Sequence, residues 1–264
     1  MKRFRLRTLF VLTLLCAVGL AAYLNWIMPS KNQKLICDQM YGSIHFRLED
    51  AASLPAWKQK LVERLGEHYV LDVIEVGLEA GFPFTVDSIS DFTKLRKLSV
   101  CGIDPIENGY APVFTFLELE ELTFERSGLD DISGFGKLKK LRKFGLYDLT
   151  TAQQGAEVFG QLEHLTTLHL GDSLIDQFQL NGIAKSRSIE ELSFTVNVDR
   201  LDLNVIGQMN QLRKIRVRRL KSTDLDLKVL LKMQNLESVE IWPTLENEEA
   251  TILKLEERGI HVGR

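Results

Sequence analysis

The densest charged chemistry in the sequence is the run Arg213-Lys-Ile-Arg-Val-Arg-Arg-Leu-Lys221, six cations in nine residues. On a strand, Lys214, Arg216 and Arg218 project to one face. Guanidinium groups at that spacing suit a carboxylate or a phosphate, which they pair bidentately, and the indole of Trp242 offers a surface for stacking. The competing reading is a strand whose cations pair with Glu191, Glu237 and Glu240 on its neighbours. His164 and His169 are five residues apart, a spacing that announces no third ligand, so they read as surface histidines rather than a metal site. Cys16, Cys37 and Cys101 form no C-x-x-C pair and are too few for a disulfide framework; a Cys37–Cys101 bridge stays open in an oxidising exterior, with free thiols the alternative. G-x-S-x-G, H-E-x-x-H, the phosphate-binding G-x-x-x-x-G-K-[ST] and G-x-G-x-x-G are all missing. The chain is therefore read as non-enzymatic, with no catalytic residues, no metal and no cofactor.

A frame of apolar-x-x-apolar-x-apolar organises these residues. It recurs as Leu71/Ile74/Val76, Leu95/Leu98/Val100, Leu119/Leu122/Phe124, Leu141/Phe144/Leu146, Leu165/Leu168/Leu170, Ile189/Leu192/Phe194, Leu212/Ile215/Val217 and Leu236/Val239/Ile241. The starts fall 24, 24, 22, 24, 24, 23 and 24 residues apart. A period of that length means stacked units, each too small to bury its own apolar face. The fourth and sixth positions of the frame point inward from a strand, and Leu162, Ile183, Ile206, Leu230 and Met233 close the core from the return.

From Leu71 to the C-terminus the chain resembles leucine-rich repeat proteins. With its apolar N-terminal segment it resembles the membrane-anchored bacterial members of that class. The resemblance implies an α/β solenoid with a parallel sheet on the concave face and helical or 3₁₀ returns on the convex face. It implies no catalytic motif. The asparagine that usually follows the strand appears only as Asn197, so uneven stacking is expected. Convex helices are expected at Thr151 to Phe159 and Asp224 to Met233, and a short-repeat return at Leu129-Asp-Asp-Ile-Ser-Gly-Phe.

The concave side chains fall in columns. Val73, Lys97, Glu121, Lys143, Thr167, Glu191, Lys214 and Ser238 form one, whose alternating signs neutralise each other at strand spacing. The next reads Glu75, Ser99, Thr123, Gly145, His169, Ser193, Arg216 and Glu240. The third reads Gly77, Cys101, Glu125, Tyr147, Gly171, Thr195, Arg218 and Trp242. The small residues in the last two columns leave open space. Tyr147, His169, Lys214, Arg216, Arg218 and Trp242 are the candidate ligand-binding residues.

Lys2, Arg3, Arg5 and Arg7 precede an uncharged stretch from Thr8 to Ser30 whose apolar part runs from Leu9 to Met28. About 20 helical residues cross a bilayer core, and Trp26 then lies at headgroup depth. Residues 8–28 are read as a transmembrane helix, with a cleaved signal segment as the alternative. The basic flank keeps residues 1–7 in the cytoplasm. Residues 1–28 hold four of the 33 basic side chains and none of the 36 acidic ones, so the exported part carries a balance of −7. The whole chain's formal charge of −3, 33 basic against 36 acidic groups, excludes a general nucleic-acid binder. Residues 29–50 read as a linker with a short helix and strand in 33–46. Residues 51–70 read as a capping helix, started by Ser53 and Pro55, ended at Gly66 and laid over the first strand. Repeats fill 71–245, and a cap of helix (247–258), Gly259 and strand (260–262) fills 246–264.

These readings lead to a single-pass protein of the cytoplasmic membrane whose repeat domain, outside the cytoplasm, binds a protein or peptide. The alternatives are an envelope carbohydrate or anionic-polymer binder, and an exported soluble form.

Overall fold

A computed structural model describes residues 45–67, 71–79, 89–102, 110–127, 129, 131–147, 155–196, 198–219, 224–243 and 248–263. The expected tail, membrane segment, most of the linker and Cys37 lie outside the described residues. Among the described residues, no helix is long and apolar enough to cross a membrane.

Ten of the described strands form one sheet. β1 (His45–Leu48) leads antiparallel onto β2 (Val73–Glu79). Parallel strands follow: β3 (Lys97–Cys101), β4 (Glu121–Glu125), β5 (Lys143–Tyr147), β6 (Thr167–Ile175), β7 (Glu191–Val196), β9 (Lys214–Arg219), β11 (Ser238–Trp242) and β12 (His261–Gly263). Each repeat contributes one strand to this sheet, whose strands pair in sequence order. That order follows from the 22–24-residue period, which is too short for any crossover longer than a single return. At each strand entry the chain hooks onto the unit before it: Glu120 and Glu121 N–H both donate to the Arg96 carbonyl, Arg142 and Lys143 to that of Glu120, Arg213 and Lys214 to that of Glu190.

From Leu95 onward the seven predicted frames are the core, with every frame residue no more than 5% exposed. The first frame is corrected. The register pairs Val76 with Leu98 and Leu78 with Val100, so the unit begins at Val73, not Leu71, and Ile74 is half-buried. Both phases place an apolar residue at every required position. The pairing with β3 selects the one that buries Val73, Val76 and Leu78 together.

The returns on the opposite side are mostly 3₁₀: Ala111–Thr115, Ser133–Lys137, Ala156–Gln161, Leu203–Gln208 and Leu227–Lys232. Where convex helices are expected, within 151–159 and 224–233, the described residues form the 3₁₀ turns Ala156–Gln161 and Leu227–Lys232. At the second place, Asp224–Leu225 (β10) instead pairs in parallel with Arg200–Leu201 (β8). The α-helical return that does form, α2 (Gln177–Ile183), has a full capping box, with Asp176 Oδ1 accepting from Gln179 N–H and Gln179 Oε1 accepting from Asp176 N–H.

Helix α1 (Ala56–Leu65) ends at Gly66, whose φ of 90° suits glycine. Two expectations about it are corrected. Ser53 does not cap it, since its hydroxyl donates to the Asp50 carbonyl within the preceding Ala51–Ser53 turn. Nor does α1 cover the first strand: β1 takes that edge through its main chain. At the other end α3 (Glu249–Glu257) and β12 form the cap that the sequence predicts, with Gly259 at φ 78° between them.

Candidate functional site

The pleat sends residues 97 and 99, and their equivalents from β3 to β11, toward the concave face; the expected third column is corrected at β6, where a bulge between Leu170 and Leu174 sets Leu174 rather than Gly171 beside Thr195, which is buried. The corrected first phase extends the outer charged column to Arg47, Glu75, Lys97, Glu121, Lys143, Thr167, Glu191, Lys214, Ser238 and His261. Its signs alternate, and its neighbours pair: Arg47–Glu75 at 3.1 Å, Lys97–Glu121 at 2.9 Å, Lys143–Glu121 at 3.6 Å and Lys214–Glu191 at 2.6 Å. These are exposed pairs of small individual worth. They leave this column without a field of one sign.

The cation run divides in two. Arg213 pairs with Glu237, and Arg216 forks onto Glu240, Nε to Oε2 at 2.5 Å and Nη2 to Oε1 at 2.9 Å. That bond holds the Arg216 guanidinium more strongly protonated than usual and the Glu240 carboxyl below its ordinary range. Arg219 faces inward, 2% exposed, with Nη2 on the Glu248 carboxylate and Nη1 on the Pro243 carbonyl at 2.9 Å. Strand alternation announces its inward direction, which counting it among the surface cations overlooks. Arg218 stays on the concave face, its guanidinium carbon 5.9 Å from the centre of the Trp242 ring. Trp242 is opposite it in register and 59% exposed.

In the middle of the face Tyr147 and His169 stack, ring centres 6.5 Å apart and planes 21° from parallel. The expected open space beside the glycines is corrected here. A methyl group at Gly145 would sit 2.8 Å from Tyr147 Cε2, and one at Gly171 would sit 2.6 Å from Tyr147 Cδ1. The tyrosine ring therefore lies flat over both glycines, and the gap is filled by the molecule itself. Burial raises the Tyr147 hydroxyl's pKa. Burial first and then the charge of Arg216 lower that of His169, which favours its neutral form.

The six candidate residues thus fall into a stacked pair on β5 and β6, a cation–π pair on β9 and β11, and two ion-paired cations, Lys214 and Arg216. His164 lies exposed ahead of β6, away from this row. Among the described residues no group of three or more His, Cys, Asp or Glu side chains is placed to hold a metal. Cys101 is a free thiol that accepts from Arg126 Nη2 at 3.3 Å. A shallow groove of about 450 Å³ runs along the strand entries, lined by Glu190, Gln211, Arg213, Gln234, Asn235, Leu236 and Glu237.

No protein-family model and no curated protein sequence matches the chain. Solved structures do match. An internalin (inlF) from Listeria monocytogenes superposes with a TM-score of 0.51 at 15% identity, over 71% of this chain and 60% of that one. A chain of the Toll–Spätzle complex from Drosophila gives 0.50 at 14% identity, over 69% of this chain and 24% of that one. A second Listeria structure, internalin C2, gives 0.47 at 16% identity, over 74% of this chain and 88% of that one. The chain spans about three fifths of the first internalin. At such identities the likeness concerns the fold, and the fold is a leucine-rich repeat solenoid.

Proposed function

We propose that this chain is a non-enzymatic interaction protein, tethered to the cytoplasmic membrane by residues 8–28, whose concave face binds a protein partner outside the cytoplasm. The observation that carries the reading is the row Tyr147, His169, Arg218 and Trp242, aromatic and cationic side chains held by stacking on a rigid parallel sheet. Arg218 and Trp242 are exposed beside the half-buried Tyr147 and His169, and aromatic and arginine side chains that are already ordered lose little entropy on binding, the property of residues that dominate protein interfaces. The tether rests on the length and flanking charges of the N-terminal apolar stretch. One of the matching chains belongs to the Toll–Spätzle complex, which supports a protein as the partner class.

The pairing pattern weighs against the anionic-polymer alternative. Arg213, Lys214, Arg216 and Arg219 are each matched by a glutamate, so a polyanion would have to break those pairs before gaining new ones. A peptide or protein that stacks on Trp242 and Tyr147 need break none.

Affinity capture of the tagged full-length chain from membranes, run beside Arg218→Glu and Trp242→Ala, is the test. A partner retained by the parent chain and depleted at least ~10-fold by either variant is expected, the loss of about 1.4 kcal/mol that an interface anchor exceeds. Equal recovery with all three chains would remove this face from the interface.

A further inference from the structure

We infer that helix α1 seats its outer face on an anionic lipid surface and so holds the N-terminal end of the solenoid against the bilayer; this rests on the membrane tether proposed above. α1 buries none of its ten residues, whereas α2 and α3 each bury an apolar stripe. Trp57 and Leu65 are 52% and 48% exposed, and with Leu61 they recur every four residues along one face. Lys60 and Arg64, both exposed and also four apart, border that face. Polar contacts elsewhere on the helix fix it to the body. Lys58 Nζ donates to Glu49 Oε1 at 2.8 Å and lies 3.8 Å from Asp72, while Gln59 Nε2 donates to the Leu54 carbonyl at 2.8 Å. The helix is therefore ordered with an indole, a leucine and two cations turned outward.

That combination is the chemistry of a helix lying in the plane of a bilayer interface. An indole prefers headgroup depth, and each cation near an anionic leaflet contributes ~1 kcal/mol. The rest of the exported chain is net acidic and is repelled by the same leaflet, so the attraction orients the molecule as well as holding it. Position favours this occupant over others. The apolar segment ends at Met28, and residues 29–44 separate it from β1. At ~3.4 Å per residue those residues reach at most about 55 Å. A tether of that length holds α1 at a high effective concentration beside the surface, so the weak affinity of one short helix face suffices.

Full-length chain reconstituted into vesicles of phosphatidylcholine and phosphatidylglycerol with brominated acyl chains tests the inference, one tryptophan being retained at a time. With Trp57 alone (Trp26→Phe, Trp242→Phe), bromine is expected to quench emission about twofold, and Lys60→Glu, Arg64→Glu and Leu65→Ser on that background to remove at least about half of the quenching. No quenching of Trp57 while the Trp26-only chain is quenched overturns the docking and leaves the tether standing. No quenching of either overturns both. A Trp57 blue shift that grows with protein density and ignores bromine assigns the face to a second copy, and overturns the lipid assignment too.

Discussion

His169 is the residue whose titration reports the state of the concave face. Its pKa lies below the ordinary value of 6.5 because the Tyr147 stack and the surrounding sheet bury it and Arg216 adds a positive charge. The folded chain therefore binds this proton less readily than the unfolded chain. The stability linked to it is fully present above pH 6.5 and is lost as pH falls from there through the folded value. Imidazole proton shifts in NMR should give a midpoint below 6.5, and Arg216→Met should move it upward; an unchanged midpoint would show that the charge is not felt. Gly171→Ala makes a second, independent expectation. Its methyl group would meet the Tyr147 ring at 2.6 Å, so the ring leaves the sheet, His169 is rehydrated and its midpoint rises toward 6.5. Global stability should fall by no more than ~1–3 kcal/mol, because a ring edge yields more easily than backbone.

At the scale of the element, the missing asparagines are replaced in another place. Side chains at the turns before the strands reach back one unit to satisfy carbonyls there. Ser188 donates to Leu162, Gln211 to Ser186 and Asn235 to Asn210, whereas Lys139 reaches forward one unit, to Gln161. Arg258 closes the series on the carbonyls of Leu231 and Met233. The returns themselves start on aspartates, with Asp131, Asp202 and Asp226 accepting from the N–H groups of Ser133, Asn204 and Lys228. Each such bond is worth ~1 kcal/mol, so Asn235→Ala should lower the unfolding free energy in urea by about that amount.

Inside, Tyr110, Phe124, Phe135, Phe144 and Phe159 form a chain of ring contacts with centres 4.7 to 6.0 Å apart. Phe135 also meets Phe114 edge-on at 5.1 Å. Truncating it severs three ring contacts and leaves a cavity, for an expected cost of ~3–5 kcal/mol. A urea midpoint unchanged by Phe135→Ala would mean that the neighbouring rings collapse into the space.

For the molecule as a whole, unit–unit interfaces supply the stability, and the ends decide whether the stack unfolds as one body. The Arg219–Glu248 pair fastens the C-terminal cap to β9 in a buried setting, with exposures of 2% and 4%. Removing one partner strands the other, so Arg219→Ala should cost ~3–5 kcal/mol and split the urea transition as the cap detaches first. The paired change Arg219→Met with Glu248→Leu should recover most of that loss, since an apolar contact of similar volume replaces the ion pair. A double variant as weak as the single one would show that the pair does more than close the cap.

The repeat, the parallel sheet, the neutralised charge column and the C-terminal cap were legible in the amino-acid sequence because periodicity and alternation are local properties: a residue's position in its own unit fixes whether it faces core or solvent. Alternation even announces the inward turn of Arg219. Contacts between units were not legible in the same way. The phase of the Val73 unit, the Tyr147 ring over Gly145 and Gly171, and the chain of phenylalanines each depend on register between residues more than twenty positions apart or on a side-chain direction that no spacing encodes. Stacking one coil on the next decides them, because only then do competing partners come within reach and the best-packed set wins.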